Sequence, residues 1–137
     1  MHTESQIDSL SLQRLLLTVA GGIGGTWKPA LATIEDVAIG SHDTMQLRDG
    51  KTLTIEHRMT AMRTPTLGYM LVLLREFQAT NGSNAPAEIT PARMTIVAAT
   101  RCTFADADAV MSAIDIVTEE LDTKMRTLCD ALEAGNV

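Results

Sequence analysis

Residues 51–60, KTLTIEHRMT, alternate between two kinds of side chain at every position. One face of an extended chain would carry Leu53, Ile55, His57 and Met59, and the other would carry Thr52, Thr54, Glu56, Arg58 and Thr60. A period of two with β-branched residues is typical of a strand with one buried face and one open face. Asp49-Gly50, just before it, is a turn signal. We therefore predict a half-buried strand here.

Two further strands are predicted downstream. Residues 68–78, GYMLVLLREFQ, are apolar on both faces at their centre, and residues 89–100 have Pro91 near the start, where a strand tolerates proline. The loop between them, residues 79–87, is polar and much longer than a two-residue hairpin turn. Such long loops usually carry function or disorder. The loop residues of interest are Thr80, Asn81, Gly82, Ser83, Asn84 and Pro86.

The C-terminal segment predicts a long amphipathic helix over 104–134. Its apolar residues recur at spacings of 4, 3, 4, 4, 3 and 4, and they are Val110, Ile114, Val117, Leu121, Met125, Leu128 and Leu132. A helix of about 28 residues is roughly 42 Å long. That length exceeds the width of a three-stranded sheet with strands about 4.8 Å apart. We therefore expect the helix to overhang its own sheet and to be covered by a second copy of the chain.

Residues 1–40 leave two interpretations open. The apolar run before GGIGG, residues 21–25, fits either a strand or a helix, so GGIGG either turns a hairpin or follows a helix. It lacks the full GxGxxG pattern and a Gly-Lys-Ser/Thr ending, and is interpreted as a flexible turn, not a phosphate loop. The predicted fold class is α+β, in one domain over 1–137. It comprises a hairpin or helix within 1–40, an antiparallel β-sheet within 44–100 and the helix 104–134.

Charge is distributed unevenly along the chain, whose net charge is −6. Residues 106–137 hold eight acidic and two basic residues, whereas residues 44–105 hold seven basic and four acidic residues. Such asymmetry says more about partners than the net charge does. It indicates a mildly basic sheet that is able to face an anionic partner, followed by an acidic helix.

Catalytic and metal-binding signatures are missing from the sequence. His2, His42 and His57 make no metal-binding pattern, and Cys102 and Cys129 match no zinc or redox spacing. The thiols are interpreted as free, in a reducing compartment. No nucleophile elbow or paired-carboxylate signature is present. The apolar run near the N-terminus is too short for a membrane span and lacks a basic leader. We predict no enzyme activity, no cofactor, no metal and no membrane partner.

The order of these segments resembles the coat protein of the single-stranded RNA bacteriophages. The resemblance covers Thr52 to about Val137, some 60% of the chain. It rests on the strand LTIEHRMT, the short turn at 61–67, the strand GYMLVLLREFQ, the loop ATNGSNAPA, the strand ARMTIVAAT and the helical FADADAVMSAIDIV. The ending MRTLCDALEAGNV is similar to the close of some of these coats.

The resemblance implies an intertwined homodimer with one continuous sheet and interlocked C-terminal helices. Many dimers would form an icosahedral shell around single-stranded RNA, assembled in the bacterial cytoplasm and found in the virion. The loop 79–87 would adapt to quasi-equivalent positions in the shell. The inner sheet face would bind RNA and possess a repressor function through one RNA hairpin. The implied RNA contacts are Thr52, Thr54, Glu56, Arg58, Thr60, Arg75, Arg93 and Thr95.

One departure from the family affects the expected RNA specificity. The family's hairpin site often stacks a base on an aromatic side chain, whereas residues 89–100 contain no aromatic residue. This favours packaging dominated by phosphate contacts over recognition of one hairpin. The main alternative is a dimeric α+β protein without a nucleic-acid role, either a small-molecule-binding domain or a phage assembly factor. A small enzyme has the least support.

Overall fold

The structure, a computed structural model, describes residues 8–23, 25–46, 50, 52–65, 68–80, 92–104 and 106–133. Two helices enclose a run of five strands in the chain order. The elements are α1 (Ser9–Ile23), β1 (Trp27–Ala32), β2 (Asp36–Gln46), β3 (Thr52–Arg63), β4 (Tyr69–Thr80), β5 (Ala92–Cys102) and α2 (Ala107–Glu133).

The five strands form one antiparallel sheet in the order β1-β2-β3-β4-β5. Each strand therefore lies beside its neighbours in sequence, as consecutive strands usually do. The predicted α+β class, an antiparallel sheet followed by a long C-terminal helix, is confirmed. Residues 52–60 of the alternating segment form most of β3, which continues to Arg63.

Both helices contact the sheet on the face that carries its buried side chains. α1 contacts β1 and β2, α2 contacts β4 and β5, and the two helices contact each other. The core between them is aliphatic, and its largest fully buried side chains are Leu12, Leu16, Ile39, Met59, Leu71, Val110, Ile114, Val117 and Leu121. Burial of one such side chain stabilises the fold by about 1.5–3 kcal/mol. The opposite face of the sheet has no helix of the described chain against it.

The N-terminal region contains a helix, and the hairpin follows it. α1 begins after Asp8, whose carboxylate accepts a hydrogen bond from the Ser11 backbone N–H at 3.0 Å, and this bond lowers the pKa of Asp8. α1 runs to Ile23, so a hairpin around GGIGG is wrong. Gly25 then adopts a φ of 84°, which suits glycine, and the chain enters β1. The sequence also missed β2, residues 36–46, which was not predicted as a strand of its own.

The buried Gln13 fixes α1 to the first hairpin. Its side-chain amide donates hydrogen bonds to the backbone carbonyl oxygens of Leu31, at 2.9 Å, and Ala38, at 3.2 Å. A buried amide without such partners would cost roughly 1–3 kcal/mol. These bonds set the position of α1 over β1 and β2.

α2 lies along the strands and not across the sheet. The Cys102 thiol contacts the Ala109 carbonyl oxygen at 3.5 Å, and further along both elements the Lys124 ammonium donates to the Val97 carbonyl oxygen at 2.6 Å. A helix of 27 residues is about 40 Å long, which equals the length of the twelve-residue strand β4. The predicted overhang compared the helix length with the width of the sheet. Because α2 runs along the strands, the relevant length is that of the strands, and the predicted overhang is wrong.

The residues predicted for a dimer helix divide accordingly. Val110, Ile114, Val117 and Leu121 are fully buried within one chain. Met125 and Leu128 are half-buried against the same core. The side chain of Leu132 lies outside the described residues. The Asp106 carboxylate accepts a hydrogen bond from the Ala109 backbone N–H at 2.8 Å and so caps the helix.

Candidate nucleic-acid interface

Strand register divides the sheet into two faces. Met59 pairs with Ile39 on one side and Leu73 on the other, and all three are buried under the helices. Because successive side chains alternate between faces, the residues next to them point to the uncovered side. We call this uncovered side the open face, and the other the helix face.

The predicted RNA contacts on β3 share the open face. Glu56 and Arg58 are exposed, whereas Thr52, Thr54 and Thr60 are half-exposed. We call residues that pair side by side across neighbouring strands a row. Arg58 lies in a row between Gly40 and Leu74, and Thr60 lies in a row between Ala38 and Val72. The alternation in the sequence therefore predicted the faces of β3 correctly. Whether RNA binds there remains a prediction.

Thr95 joins these residues, but Arg75 does not. Thr95 is exposed and pairs with Glu76, which places it on the open face. Arg75 pairs with His57 and with the buried Ile96, so it lies on the helix face. The expectation that Arg75 shares a face with Arg58 is wrong. Arg93 of β5 pairs through its backbone with Gln78 of β4, and the side chain of Arg93 lies outside the described residues.

Arg75 instead takes part in a polar cluster beneath α2. Its Nε donates a hydrogen bond to His57 Nε2 at 2.7 Å, and its Nη1 lies 3.3 Å from the Asp122 carboxylate of α2. The first bond requires an unprotonated Nε2, so the neutral imidazole carries its proton on Nδ1. Burial lowers the pKa of His57, and the nearby Arg75 charge lowers it further, while Asp43 and Asp122 oppose this shift.

A small cavity adjoins this cluster on the helix face. Its volume is about 240 Å³, and it lies between α1, α2 and the first four strands. Met59, Leu73 and Ile114 provide apolar walls, while Trp27 and Arg75 lie at its polar side. The Trp27 and His57 rings contact each other with centroids 5.8 Å apart.

A larger hollow occupies the open face, with a volume of about 660 Å³. Lys28 and Arg58 lie in the same row on either side of Gly40, in β1, β3 and β2 respectively. Because Gly40 has no side chain, the row is open between the two cations. The sequence did not point to Lys28, since its face depends on the pairing of β1, which neighbouring residues do not determine.

The next row of the hollow is acidic. Glu56 and Glu76 pair directly across β3 and β4, and His42 of β2 lies on the other side of Glu56, with 3.8 Å between Nε2 and Oε1. Both carboxylates line the hollow together with the cations and Leu74. The open face is thus zwitterionic at this point, with cations in one row and carboxylates in the next.

The described Trp, Tyr and Phe side chains lie away from the open face. Trp27 lies on the helix face beside His57, and Tyr69 packs on Phe104 with centroids 4.8 Å apart. Phe77 packs against the core and lies two residues after Arg75 on β4, so it is also on the helix face. Among the described residues, the open face therefore offers no Trp, Tyr or Phe ring for base stacking, and its ring is the exposed imidazole of His42 beside Glu56. Arg101 adds an exposed cation in the row of Met70.

The predicted assembly loop is almost entirely beyond the described part of the chain. Thr80 is the last residue of β4, and its side chain is outside the described residues. Asn81, Gly82, Ser83, Asn84 and Pro86 also lie outside them, so the role of this loop stays a prediction.

The two sheet edges differ. β1 has six residues, contains Pro29 and has an irregular register between Pro29 and Leu31. These features disfavour pairing of this edge with a strand of another chain. β5 has eleven residues in regular register with β4. At this second edge, the Val97 carbonyl oxygen accepts the bond from Lys124, so it points away from β4.

Comparison of this chain with family models, curated proteins and solved structures found no match. The resemblance to the phage coats therefore stays an expectation from the sequence. In the described ranges, no group of three or more His, Cys, Asp and Glu side chains is placed to hold a metal ion. None of the described helices has the length and apolar character needed to cross a membrane.

Proposed function

We propose that this chain is a structural capsid protein that dimerises, assembles into an icosahedral shell and packages single-stranded RNA on the open face. The observation that carries the proposal is the placement of the polar face of β3 on a sheet surface left uncovered by both helices. A globular domain that leaves one face of a five-stranded sheet open has a large flat surface available to a partner.

The charges of the two sides support this orientation. The open face has Lys28, Arg58 and Arg101 as exposed cations. The exposed side of α2 carries mainly acids, namely Asp108, Asp115, Glu119, Asp122 and Asp130. Since RNA carries one negative charge per nucleotide, phosphate contacts favour the open face, and the acidic helix favours the outside of a shell.

The β5 edge supports the proposed dimer. A long regular edge strand presents unpaired backbone groups to a second strand. Two β5 strands pairing antiparallel would join two five-stranded sheets into one, with both open faces on the same side. The exposed Val97 on β5 and the half-buried Met125 and Leu128 on α2 would then be covered further.

Expression of the chain in bacteria tests the proposal. The lysate is separated by size exclusion, absorbance is read at 260 and 280 nm, and the void peak is imaged by electron microscopy. We expect round particles containing RNA. A dimer or monomer without RNA, under conditions where the chain is folded, would refute the capsid function.

A loop variant tests the role of 79–87 within the same proposal. Shortening Asn81–Asn84 to a two-residue turn should leave dimers intact and abolish or alter the shell. Normal shells from this variant would remove the loop from the assembly mechanism. A hairpin-dependent repressor activity is a further part of the proposal, measured as reduced translation of a reporter whose messenger RNA carries a hairpin that the protein binds.

The cavity on the helix face favours a second candidate, a small-molecule-binding domain without a nucleic-acid role. It combines the apolar walls of Met59 and Leu73 with converging polar groups on His57 and Arg75. Its volume of about 240 Å³ is slightly below the usual range for ligand pockets, roughly 300–1,000 Å³. A thermal-shift screen of small metabolites, in which Arg75→Ala removes the response, would support this candidate over the first.

A further inference from the structure

The cavity on the helix face contains a guanidinium with donors beyond those that hold it in place. The Arg75 side chain is 18% exposed, so it is largely removed from water. Its Nε donates to His57 and its Nη1 lies against Asp122, which leaves the N–H groups of Nη2 for a ligand. Ser41 and Thr118 also line the cavity and carry hydroxyl groups able to donate further bonds. A desolvated guanidinium with donors to spare is a strong binding group for a carboxylate.

A carboxylate lies on the other side of the same cavity. Asp43 of β2 lines the cavity and is exposed, whereas Arg75 is on β4, with β3 between the two strands. The backbones of β2 and β4 are therefore about 10 Å apart. The Arg75 guanidinium forms its ion pair with Asp122 of α2, at 3.3 Å. A ligand between Asp43 and Arg75 thus meets an acceptor at one end and donors at the other.

The charges around the cavity favour a ligand that carries both signs. Arg75 contributes one positive charge, and Asp43 and Asp122 contribute two negative charges. His57 is neutral when its Nε2 accepts the Arg75 bond, and burial lowers its pKa. A simple anion would add negative charge to this site, and a simple cation would offer no acceptor to the Arg75 donors. A zwitterion with an ammonium group and a carboxylate meets both requirements.

The apolar walls and the size of the cavity restrict the rest of the ligand. Met59, Leu73 and Ile114 form apolar walls, and the Trp27 ring adds an aromatic surface that attracts an ammonium group. At about 30 Å³ for each water-sized group, a volume of about 240 Å³ holds about eight such groups. This is the size of valine or leucine, whose side chains are aliphatic.

We propose that the cavity on the helix face binds a small aliphatic α-amino acid, with its carboxylate on Arg75 and its ammonium group on Asp43. The aliphatic side chain lies against the apolar walls. This site rests on the second candidate function and deepens it by naming the class of ligand. It does not use the open face, so it is independent of RNA packaging.

Thermal unfolding of the purified full-length protein with L-leucine tests the site. The rise in Tm over a range of ligand concentrations gives the affinity. Two analogues each lack one charge: isocaproate has no ammonium group, and isopentylamine has no carboxylate. Glycine has both charges without the aliphatic side chain. Because each analogue leaves part of the site without a partner, we expect L-leucine to bind at least about tenfold more tightly than any of the three.

Two variants assign the charges of the ligand to residues. Asp43→Asn should bring the affinity ratio of L-leucine to isocaproate towards one, and Arg75→Gln should abolish the response to L-leucine. The matched controls are Asp130→Asn and Arg126→Gln, exposed positions on α2 that should keep the wild-type ratio. Asp43 is exposed, so its replacement should leave the fold intact. If Arg75→Gln does not fold, the ratio in Asp43→Asn still decides the outcome.

The outcomes separate the amino-acid site from the function on which it rests. If L-leucine and isocaproate bind equally, or if Asp43→Asn keeps the wild-type ratio, the amino-acid site is overturned. The second candidate function then stands if another metabolite gives a response that Arg75→Ala removes. If no metabolite raises Tm, the second candidate function fails and the amino-acid site fails with it, whereas the capsid function is decided by particle assembly.

Discussion

Ile114 and Ile116 are two isoleucines on one helix with opposite surroundings. Ile114 is 0% exposed and contacts the core between α2 and the sheet, whereas Ile116 is 53% exposed. Ile114→Ala should therefore destabilise the fold by about 2–5 kcal/mol, because it removes buried carbons and leaves a cavity. Ile116→Ala should change the free energy of unfolding by no more than about 0.5 kcal/mol, as expected for a surface site.

The expected shift in melting temperature follows from chain length. A domain of 137 residues has an unfolding entropy of about 0.3 kcal/mol per kelvin, so a loss of about 3 kcal/mol lowers Tm by about 10 °C. The assay is thermal unfolding followed by circular dichroism at 222 nm. Both variants are measured at equal protein concentration, because association makes Tm depend on concentration.

Two results would refute the placement of α2 on its own sheet. Equal Tm shifts for both alanine variants would mean that Ile114 is not more buried than Ile116. A loss in Ile114→Ala that appears only at protein concentrations where the chain associates would mean that Ile114 is covered by a second chain.

Three further predictions concern single side chains on the helix face and at the β4 turn. The folded state lowers the pKa of His57 from 6.5, so the unfolded chain binds more protons below pH 6.5. The free energy of unfolding, measured by urea titration, should therefore fall as pH drops through this region. His57→Gln should make this decline less steep. Burial raises the pKa of Cys102 to about 11. The Cys129→Ser variant, in which Cys102 is the remaining thiol, should therefore react slowly with a thiol reagent at pH 8. If Cys129→Ser reacted faster than Cys102→Ser, in which Cys129 remains, the result would contradict this prediction. Gly68 has a φ of 100°, and a Cβ there would lie 3.0 Å from the Cys102 carbonyl oxygen. Gly68→Ala should therefore lower the free energy of unfolding, measured by chemical denaturation, by about 1–3 kcal/mol. An unchanged free energy of unfolding would exclude strain at this turn.

Local patterns predicted the parts of this fold that depend on neighbouring residues. The alternation around Arg58 identified both faces of β3, and the apolar spacing from Val110 to Leu121 identified the buried side of α2. Both signals are periodic, and the period of a strand or a helix determines which of its residues share one face. The helix interpretation of the N-terminal segment was left open, because a short apolar run fits either state.

The features that sequence reasoning missed all depend on contacts between distant segments. Arg75 was placed on the wrong face because β4 is apolar on both sides, so only its pairing with His57 shows which side it takes. Lys28 joins Arg58 through the register of three strands, with Gly40 between them. The direction of α2 depends on packing along β4 and β5, which helix length alone does not determine.

Lys124 shows how the proposed dimer competes with an interaction inside one chain. Its ammonium group occupies the outward Val97 carbonyl and also lies 3.1 Å from Glu120, so the centre of the β5 edge is guarded in the single chain. A hydrogen bond from a charged donor contributes about 1.5–3 kcal/mol, and less where water screens it, as at this exposed position. Pairing of two eleven-residue β5 strands would form several backbone bonds of about 0.5–1.5 kcal/mol each and bury additional apolar surface around Val97. The proposed dimer therefore requires that these gains exceed both the loss of the Lys124 hydrogen bond and the entropy cost of association.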